Sequence, residues 1–110
     1  MKKNIAICIP SYNEESSIGH VTKQVDLGLK RFYGLDNCLI INADSDSTDK
    51  TKEIFSNTST FFPKRYFNTG SNPRGKGQNL IKFFEFCSNL KIDFVATIDS
   101  DVQTVKPEWV

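Results

Sequence analysis

The sequence lacks a long hydrophobic run and an excess of charge of one sign. The apolar run near its start, residues 5–10, is too short for a signal-peptide core or a membrane span. Its 14 basic and 13 acidic residues leave a net charge of +1, which excludes a strongly charged binder of nucleic acid or of acidic membranes. We therefore expect a cytoplasmic protein with no nucleic-acid partner and no membrane segment.

Cysteine is also scarce. Cys8, Cys38 and Cys87 are odd in number, lack metal-site spacing and lie in apolar segments. They are predicted to be buried thiols in a reducing compartment. With 110 residues, without repeats or linkers, the chain is expected to form one domain or part of one.

Apolar segments alternate with segments of helical periodicity along the whole chain. The predicted strands are residues 5–9, 38–41, 65–68 and 94–98. The first predicted helix starts in the polar segment 13–17 and ends near Lys30. The second is capped by Ser47 or Thr48 and ends near Phe55. The third covers residues 77–89, with Leu80, Ile81, Phe84 and Cys87 at helical spacing.

This order predicts an α/β fold, with a parallel Rossmann-like sheet that has helices on both faces. In such sheets, ligands bind beyond the carboxyl ends of the strands. Polar clusters occur at three of these ends, in residues 10–14, 44–49 and 99–101. A binding site is therefore predicted at this edge of the sheet.

The segment FVATIDSD, residues 94–101, ends in two carboxylates. Side chains alternate along a strand, so Asp99 and Asp101 are expected to face the same way. Mg²⁺ or Mn²⁺, which prefer oxygen ligands, would relieve their repulsion. The structural alternative is a solvated strand end or a helix cap. The coincidence of three polar clusters at strand ends favours the metal site.

The segment DSDST, residues 44–48, begins like a calcium-binding loop. Asp49 stands where that loop needs glycine, and Phe55 where it needs glutamate, which excludes a calcium loop. Asp44 is instead a candidate acceptor for a ligand N–H, such as the imide of a nucleobase. Asp49 is expected to interact with the positive end of the following helix.

The loop GSNPRGKG, residues 70–77, contains the glycine and lysine spacing of a phosphate-binding P-loop. Gly77 replaces the hydroxyl residue that would contact magnesium, and Pro73 removes a backbone donor. A P-loop phosphotransferase is therefore a remote alternative. A basic loop in which Lys76 reaches a nucleotide fits better, since its glycines let the backbone approach a ligand closely.

Four ordered motifs, PSYNEE, DSDSTD, GKG and DSD, resemble those of family 2 glycosyltransferases of the A-type, Rossmann-like fold. The strings SYNEESSIGHV, RGKGQNL and TIDSDVQTVKPEWV resemble those of retaining glucosylglycerate and mannosylglycerate synthases. Glucosyl-3-phosphoglycerate synthases share the GKG and DSD pattern. The resemblance covers essentially the whole chain. One departure is visible, because Asp46 stands where family members commonly have glycine.

The resemblance implies a role for each matching residue. Those implied to bind the donor are Pro10, Tyr12, Glu14, Asp44, Gly75, Lys76, Asp99 and Ser100. Within this set, Asp44 meets the base, Lys76 reaches the nucleotide and Asp99 lies near the ribose. Asp101, together with Asp99, is implied to hold the Mg²⁺ or Mn²⁺ that bridges the diphosphate.

The implied function is transfer of glucose or mannose from a UDP- or GDP-sugar to glycerate or 3-phosphoglycerate. Transfer to a polyprenyl phosphate or a saccharide, and non-catalytic binding of nucleotide sugar, are alternatives. Residues 1–110 resemble the donor-binding half of the domain. The acceptor half and the catalytic residues are expected beyond Val110, or in a partner chain, so the chain alone is expected to be inactive.

Overall fold

A computed structural model describes residues 2–70 and 76–98, without the side chains of residues 76–80. Their strands are β1 (Asn4–Ser11), β2 (Asn37–Asp44), β3 (Lys64–Asn68) and β4 (Phe94–Thr97). Their helices are α1 (Ile18–Tyr33), α2 (Thr51–Asn57) and α3 (Lys76–Ser88). The strands form one parallel sheet in the order β3-β2-β1-β4. The predicted alternation of strands and helices is confirmed.

The two faces of the sheet pack against different helices. Ile5, Ile7 and Ile9 of β1 point into a core that includes residues of α1 and α2. Ala6 and Cys8, which alternate with them, point into a second core against α3. Burial on both faces explains the unbroken apolar run at the start of the chain. None of the helices in the described ranges is long and apolar enough to cross a membrane.

β1 continues through Pro10, where the sequence predicted its end. Proline lacks the N–H that a central strand normally donates. The Cys8 carbonyl accepts from Ile98 on the β4 side, whereas the Ser11 carbonyl accepts from Ser45 on the β2 side. Pro10 therefore faces the β4 side, beyond the last paired residues of β4. The missing donor therefore leaves the pairing of β1 with β2 intact, and the strand extends along β2 to Ser11.

Two helices begin later than predicted. Residues 15–17 form a turn, in which the Glu14 carbonyl accepts from Ser17 and Ile18, and α1 begins only at Ile18. Neither Ser47 nor Thr48 caps α2, which begins at Thr51. The Ser47 hydroxyl instead donates to Asp44, three residues earlier, and accepts from the backbone N–H of Asn13, while Thr48 donates to the Asn13 side chain. These local and long-range contacts compete with capping.

β4 was predicted to be a buried strand, but its side chains are exposed. It is an edge strand within the described part of the sheet, and Phe94 and Val95 are 53% and 38% exposed. α3 also differs from the prediction, because Phe83 is buried there while Ile81 and Phe84 are half exposed. Helical spacing placed the helix correctly, but of the predicted positions whose side chains are described only Cys87 lies on the face that packs on the sheet.

The three cysteines are free and buried, as predicted. Burial raises the pKa of the Cys8 thiol to about 12 and that of Cys38 to about 11. It also raises the pKa of Cys87. A neutral buried thiol is a poor nucleophile and metal ligand. The cysteines are therefore packing residues of the sheet and of α3.

A buried carboxylate on α1 positions the segment that leads into β3. Asp26 is 2% exposed and accepts hydrogen bonds from the backbone N–H groups of Phe61 and Phe62, at 2.8 and 3.0 Å. Lys23, on the same helix, donates to the Ser59 carbonyl at 2.8 Å. These contacts attach the connection between α2 and β3 to α1.

The substitution Asp26→Asn should lower the free energy of unfolding by about 1 to 3 kcal/mol, because one buried backbone N–H then meets an amide donor instead of an acceptor. Urea denaturation measures the change. Asp36→Asn is the matched control, since Asp36 accepts from the Lys3 backbone at an exposed position. An equal loss in both variants would contradict a special role for Asp26.

Candidate functional site

The loops that follow β1 and β2 bind each other through Asn13. Its side-chain oxygen accepts from the backbone N–H groups of Thr48 and Asp49, at 2.8 and 3.3 Å. Its own backbone N–H donates to the Ser47 hydroxyl at 2.8 Å. Asn13 has a φ of 51°, a left-handed conformation that asparagine tolerates better than most residues. The two loops therefore form one unit at the carboxyl edge of the sheet.

Asp49 and Thr51 extend this unit to the start of α2. Asp49 accepts from the Thr51 backbone N–H at 3.0 Å and from the Glu15 backbone N–H at 3.2 Å. Thr51 in turn accepts from the Glu14 backbone N–H at 2.9 Å. Burial opposes ionisation of Asp49, but hydrogen bonds from Thr51 and Glu15 outweigh it and lower the pKa. The predicted interaction of Asp49 with the helix start is confirmed.

Asp44 lies at the centre of the site and is fully buried. One carboxylate oxygen accepts from the hydroxyls of Ser11, at 2.7 Å, and Ser47. The other accepts from the Tyr66 hydroxyl at 2.6 Å and the Ser47 backbone N–H at 3.0 Å. The side chain thus joins β1, β2, β3 and the loop after β2. Both carboxylate oxygens accept hydrogen bonds from groups of the protein itself.

Tyr66 reaches this carboxylate from β3. Burial raises the pKa of its hydroxyl, and so do the hydrogen bond to Asp44 and the negative charges of Asp44 and Asp46. The neutral hydroxyl is therefore the form that the folded protein stabilises. Lys52 lies 5.1 Å from the centre of the Tyr66 ring, which provides a further contact with α2.

Asp46 differs from Asp44 in both conformation and exposure. It has a φ of 57° and is exposed. Its carboxylate accepts from the side-chain amide of Asn68, at the end of β3, at 3.1 Å. The left-handed conformation explains why glycine suits this position in proteins with the same motif. Here an aspartate adopts it and adds a charge to the rim of the site.

The structure brings four of the predicted site residues to the same edge of the sheet. Pro10 ends β1 together with Ser11, Tyr12 and Glu14 follow, and Asp44 ends β2. Lys76 is the first residue of α3 rather than a loop residue. The predictions for Gly75, Asp99, Ser100 and Asp101 lie outside the described residues.

Sequence reasoning missed the residues that assemble this edge. They are Ser11, Asn13, Ser47, Thr51, Tyr66 and Asn68. An asparagine in a short polar loop after a strand indicates a left-handed turn, so Asn13 could have been found. The pairing of Tyr66 with Asp44 joins residues 22 positions apart. No local pattern predicts such a contact.

No group of three or more histidine, cysteine or acidic side chains in the described ranges is arranged to hold a metal ion. The predicted ligands, Asp99 and Asp101, are not among those residues. They follow Ile98, whose backbone N–H donates to the Cys8 carbonyl of β1 at 2.9 Å. In sequence, the aspartate pair therefore comes directly after the carboxyl end of β4.

Residues 6–110 match the sequence profile of a family described as glycosyl transferase family 2. No match was found among curated proteins. Two solved structures of glucosyl-3-phosphoglycerate synthase from Mycobacterium tuberculosis resemble the fold. One, in complex with Mn²⁺, UDP-glucose and phosphoglyceric acid, has 24% identity and a TM-score of 0.67. The other has 23% identity and a TM-score of 0.64.

These likenesses cover 96% of the present chain but only 36% and 37% of the solved chains. The chain thus spans little more than a third of the length of these relatives. At this level of identity, the likeness shows the fold. The parallel sheet described above is the Rossmann-like arrangement of A-type glycosyltransferases, as the motifs predicted.

The substitution Tyr66→Phe should lower the free energy of unfolding by about 1 to 2 kcal/mol at pH 7, because Asp44 loses a buried donor. The pKa of Tyr66 is raised above its ordinary value of 10.0, so this stabilisation is present below pH 10 and declines as pH rises further. Urea denaturation at pH 7 and at pH 10 to 11 should show the difference between variant and wild type shrinking.

Tyr33→Phe is the control, because Tyr33 is 40% exposed at the end of α1. Its substitution should change stability by less than about 0.5 kcal/mol. A Tyr66→Phe variant as stable as wild type at pH 7 would show that the hydroxyl contributes nothing to the Asp44 cluster.

Proposed function

Because the chain belongs to glycosyl transferase family 2, we propose that it binds the donor in transfer of a hexose from a nucleotide sugar. The proposed donor is a UDP- or GDP-linked glucose or mannose, and the proposed acceptor is a small molecule such as glycerate or 3-phosphoglycerate. The observation that supports this most strongly is the joined pair of loops at the carboxyl ends of β1 and β2. Parallel sheets bind nucleotides at this edge.

The strand order supports the proposed placement of the donor. β1 lies between β2 and β4, so the carboxyl ends of all three strands are neighbours at one edge. In this proposal, Pro10, Tyr12 and Glu14 line the nucleoside site after β1. Asp44 stands at the base end, after β2. Asp99 and Ser100, which follow β4 in sequence, meet the ribose and diphosphate.

The proposed metal site consists of Asp99 and Asp101. Two carboxylates separated by one residue are hard oxygen ligands that suit Mg²⁺ or Mn²⁺. Such an ion would neutralise negative charge on the departing nucleoside diphosphate. The M. tuberculosis relative contains Mn²⁺ with UDP-glucose and phosphoglyceric acid, which supports a divalent ion and a small anionic acceptor as the proposal for this chain.

Lys76 is proposed to contact the donor phosphates, together with the backbone at Gly75. Lys76 is the first residue of α3, where unpaired backbone N–H groups and the helix dipole favour an anion. Because α3 packs on β1 and β2, the start of the helix is attached to the same sheet as the nucleoside loops.

Binding of a nucleotide sugar should require a divalent metal. Isothermal titration of the chain with UDP-glucose, GDP-glucose and GDP-mannose, in Mn²⁺ and in chelator, measures this requirement. Asp101→Asn should weaken metal-dependent binding about tenfold or more, because it removes a charged ligand. Ser100→Ala is the matched neighbouring control and should change affinity less. Equal affinity in metal and in chelator would contradict the metal role.

Lys76→Ala should weaken donor binding about tenfold while leaving the free energy of unfolding nearly unchanged, because it removes a charge-assisted contact with phosphate. Lys91→Ala, at an exposed position between α3 and β4, is the control and should bind donor like wild type. Unchanged donor affinity for Lys76→Ala would remove this contact from the proposal. Tight binding of ATP without binding of nucleotide sugars would favour a P-loop phosphotransferase instead.

A further inference from the structure

Two carboxylates at the base end of the proposed donor site have different surroundings. Asp44 is fully buried, and its two oxygens accept four hydrogen bonds from Ser11, Ser47 and Tyr66. A ligand N–H would have to displace one of these donors. Asp46 is exposed, and among the described residues its carboxylate accepts one hydrogen bond, from Asn68. A carboxylate has about four acceptor positions, so Asp46 retains capacity for a ligand.

Asp46 also lies at a suitable distance from the carboxyl end of β4. It belongs to the loop after β2 and bonds to Asn68 at the end of β3, whereas Asp99 and Asp101 follow β4 in sequence. Neighbouring strands lie about 4.8 Å apart, so the ends of β3 and β4 are separated by about 14 Å. An extended nucleoside diphosphate spans a comparable distance. With its diphosphate beside β4, its base reaches the ends of β2 and β3.

We propose that Asp46 accepts hydrogen bonds from the nucleobase of the donor and that it selects guanine over uracil. In this proposal, Asp44 is a positioning residue, which holds the loops without touching the base. The inference rests on the proposed function of the site. It names a contact that the glycine common at this position in the family cannot make through a side chain.

The selectivity follows from the hydrogen-bonding groups on the edges of the bases. Guanine presents two adjacent donors, the N1–H and the 2-amino group, which match the two acceptor oxygens of a carboxylate. Uracil presents one N–H between two carbonyl oxygens, and these oxygens would repel the second oxygen of Asp46. Adenine and cytosine place an acceptor beside their amino group. An acceptor-only side chain therefore favours guanine.

The structure holds the Asp46 carboxylate in place before any ligand binds. The Asn68 amide donates to its Oδ1 atom, while the Asn68 side-chain oxygen accepts from the Gly70 backbone N–H at 2.8 Å. The hydrogen bond from the Asn68 amide joins the loop that carries Asp46 to the end of β3. A preorganised acceptor loses little conformational freedom on binding.

The decisive experiment compares GDP, XDP and UDP by isothermal titration in excess Mn²⁺, on wild type and Asp46→Asn. XDP carries a carbonyl where GDP carries the 2-amino group. Asparagine tolerates the left-handed conformation. Its amide oxygen can accept from the N1–H of xanthine while its NH₂ group donates to the 2-carbonyl oxygen. Wild type should bind GDP at least about tenfold more tightly than UDP or XDP. Asp46→Asn should lose about tenfold for GDP and gain affinity for XDP.

Glu85→Gln removes the same charge from the exposed surface of α3 and should keep the wild-type order of affinities. Unfolding curves of all three proteins establish that they are equally folded. Wild type that binds UDP as tightly as GDP overturns the inference, as does a preference for GDP that Asp46→Asn leaves intact. If none of the nucleotides binds wild type, the proposed function fails and the inference fails with it.

Discussion

The candidate site depends on one buried carboxylate. Asp44 accepts from β1, from β3 and from its own loop, so its charge fixes three parts of the carboxyl edge relative to one another. A buried charge is tolerated only when its hydrogen bonds are satisfied, and here protein donors satisfy both oxygens. Removing the carboxylate would leave the Ser11 and Tyr66 hydroxyls without their buried acceptor. The same carboxylate therefore stabilises the sheet and positions the loops that are proposed to bind the nucleotide.

This arrangement separates stability from recognition. The floor of the site consists of buried residues whose partners lie within the protein, as with Asp44 and Thr51. The rim consists of exposed residues with remaining hydrogen-bonding capacity, as with Asp46. A substitution in the floor changes the free energy of unfolding, because it leaves a buried polar group without its hydrogen-bond partner. A substitution in the rim changes which ligand is preferred and leaves the fold nearly intact.

The order of strands and helices, the parallel sheet and the buried cysteines could be predicted from the sequence, because each follows from composition and periodicity along the chain. The end of β1 at Ser11 could not, since the cost of Pro10 depends on which side of the strand its missing N–H faces. The start of α2 could not either, because Ser47 and Thr48 bond to Asn13 in the loop after β1 instead of capping the helix. Exposure of β4 follows from its place at the edge of the described sheet, which is a tertiary property.

The resemblance in sequence and the geometry of the fold contribute different parts of the proposal. Shared motifs identify the family, but for Asp46 they show only that it stands where glycine is common. Asp46 adopts a left-handed backbone conformation, which glycine also favours, so an aspartate here adds a charge without requiring a conformation that glycine lacks. The carboxylates are not the only charges near the ends of β2 and β3, because Lys52 lies over the Tyr66 ring and Lys82 donates to the Thr69 carbonyl just after β3. The charges at these strand ends are therefore mixed. The proposed discrimination between bases depends on the hydrogen-bonding geometry of Asp46 and not on the net charge of the edge.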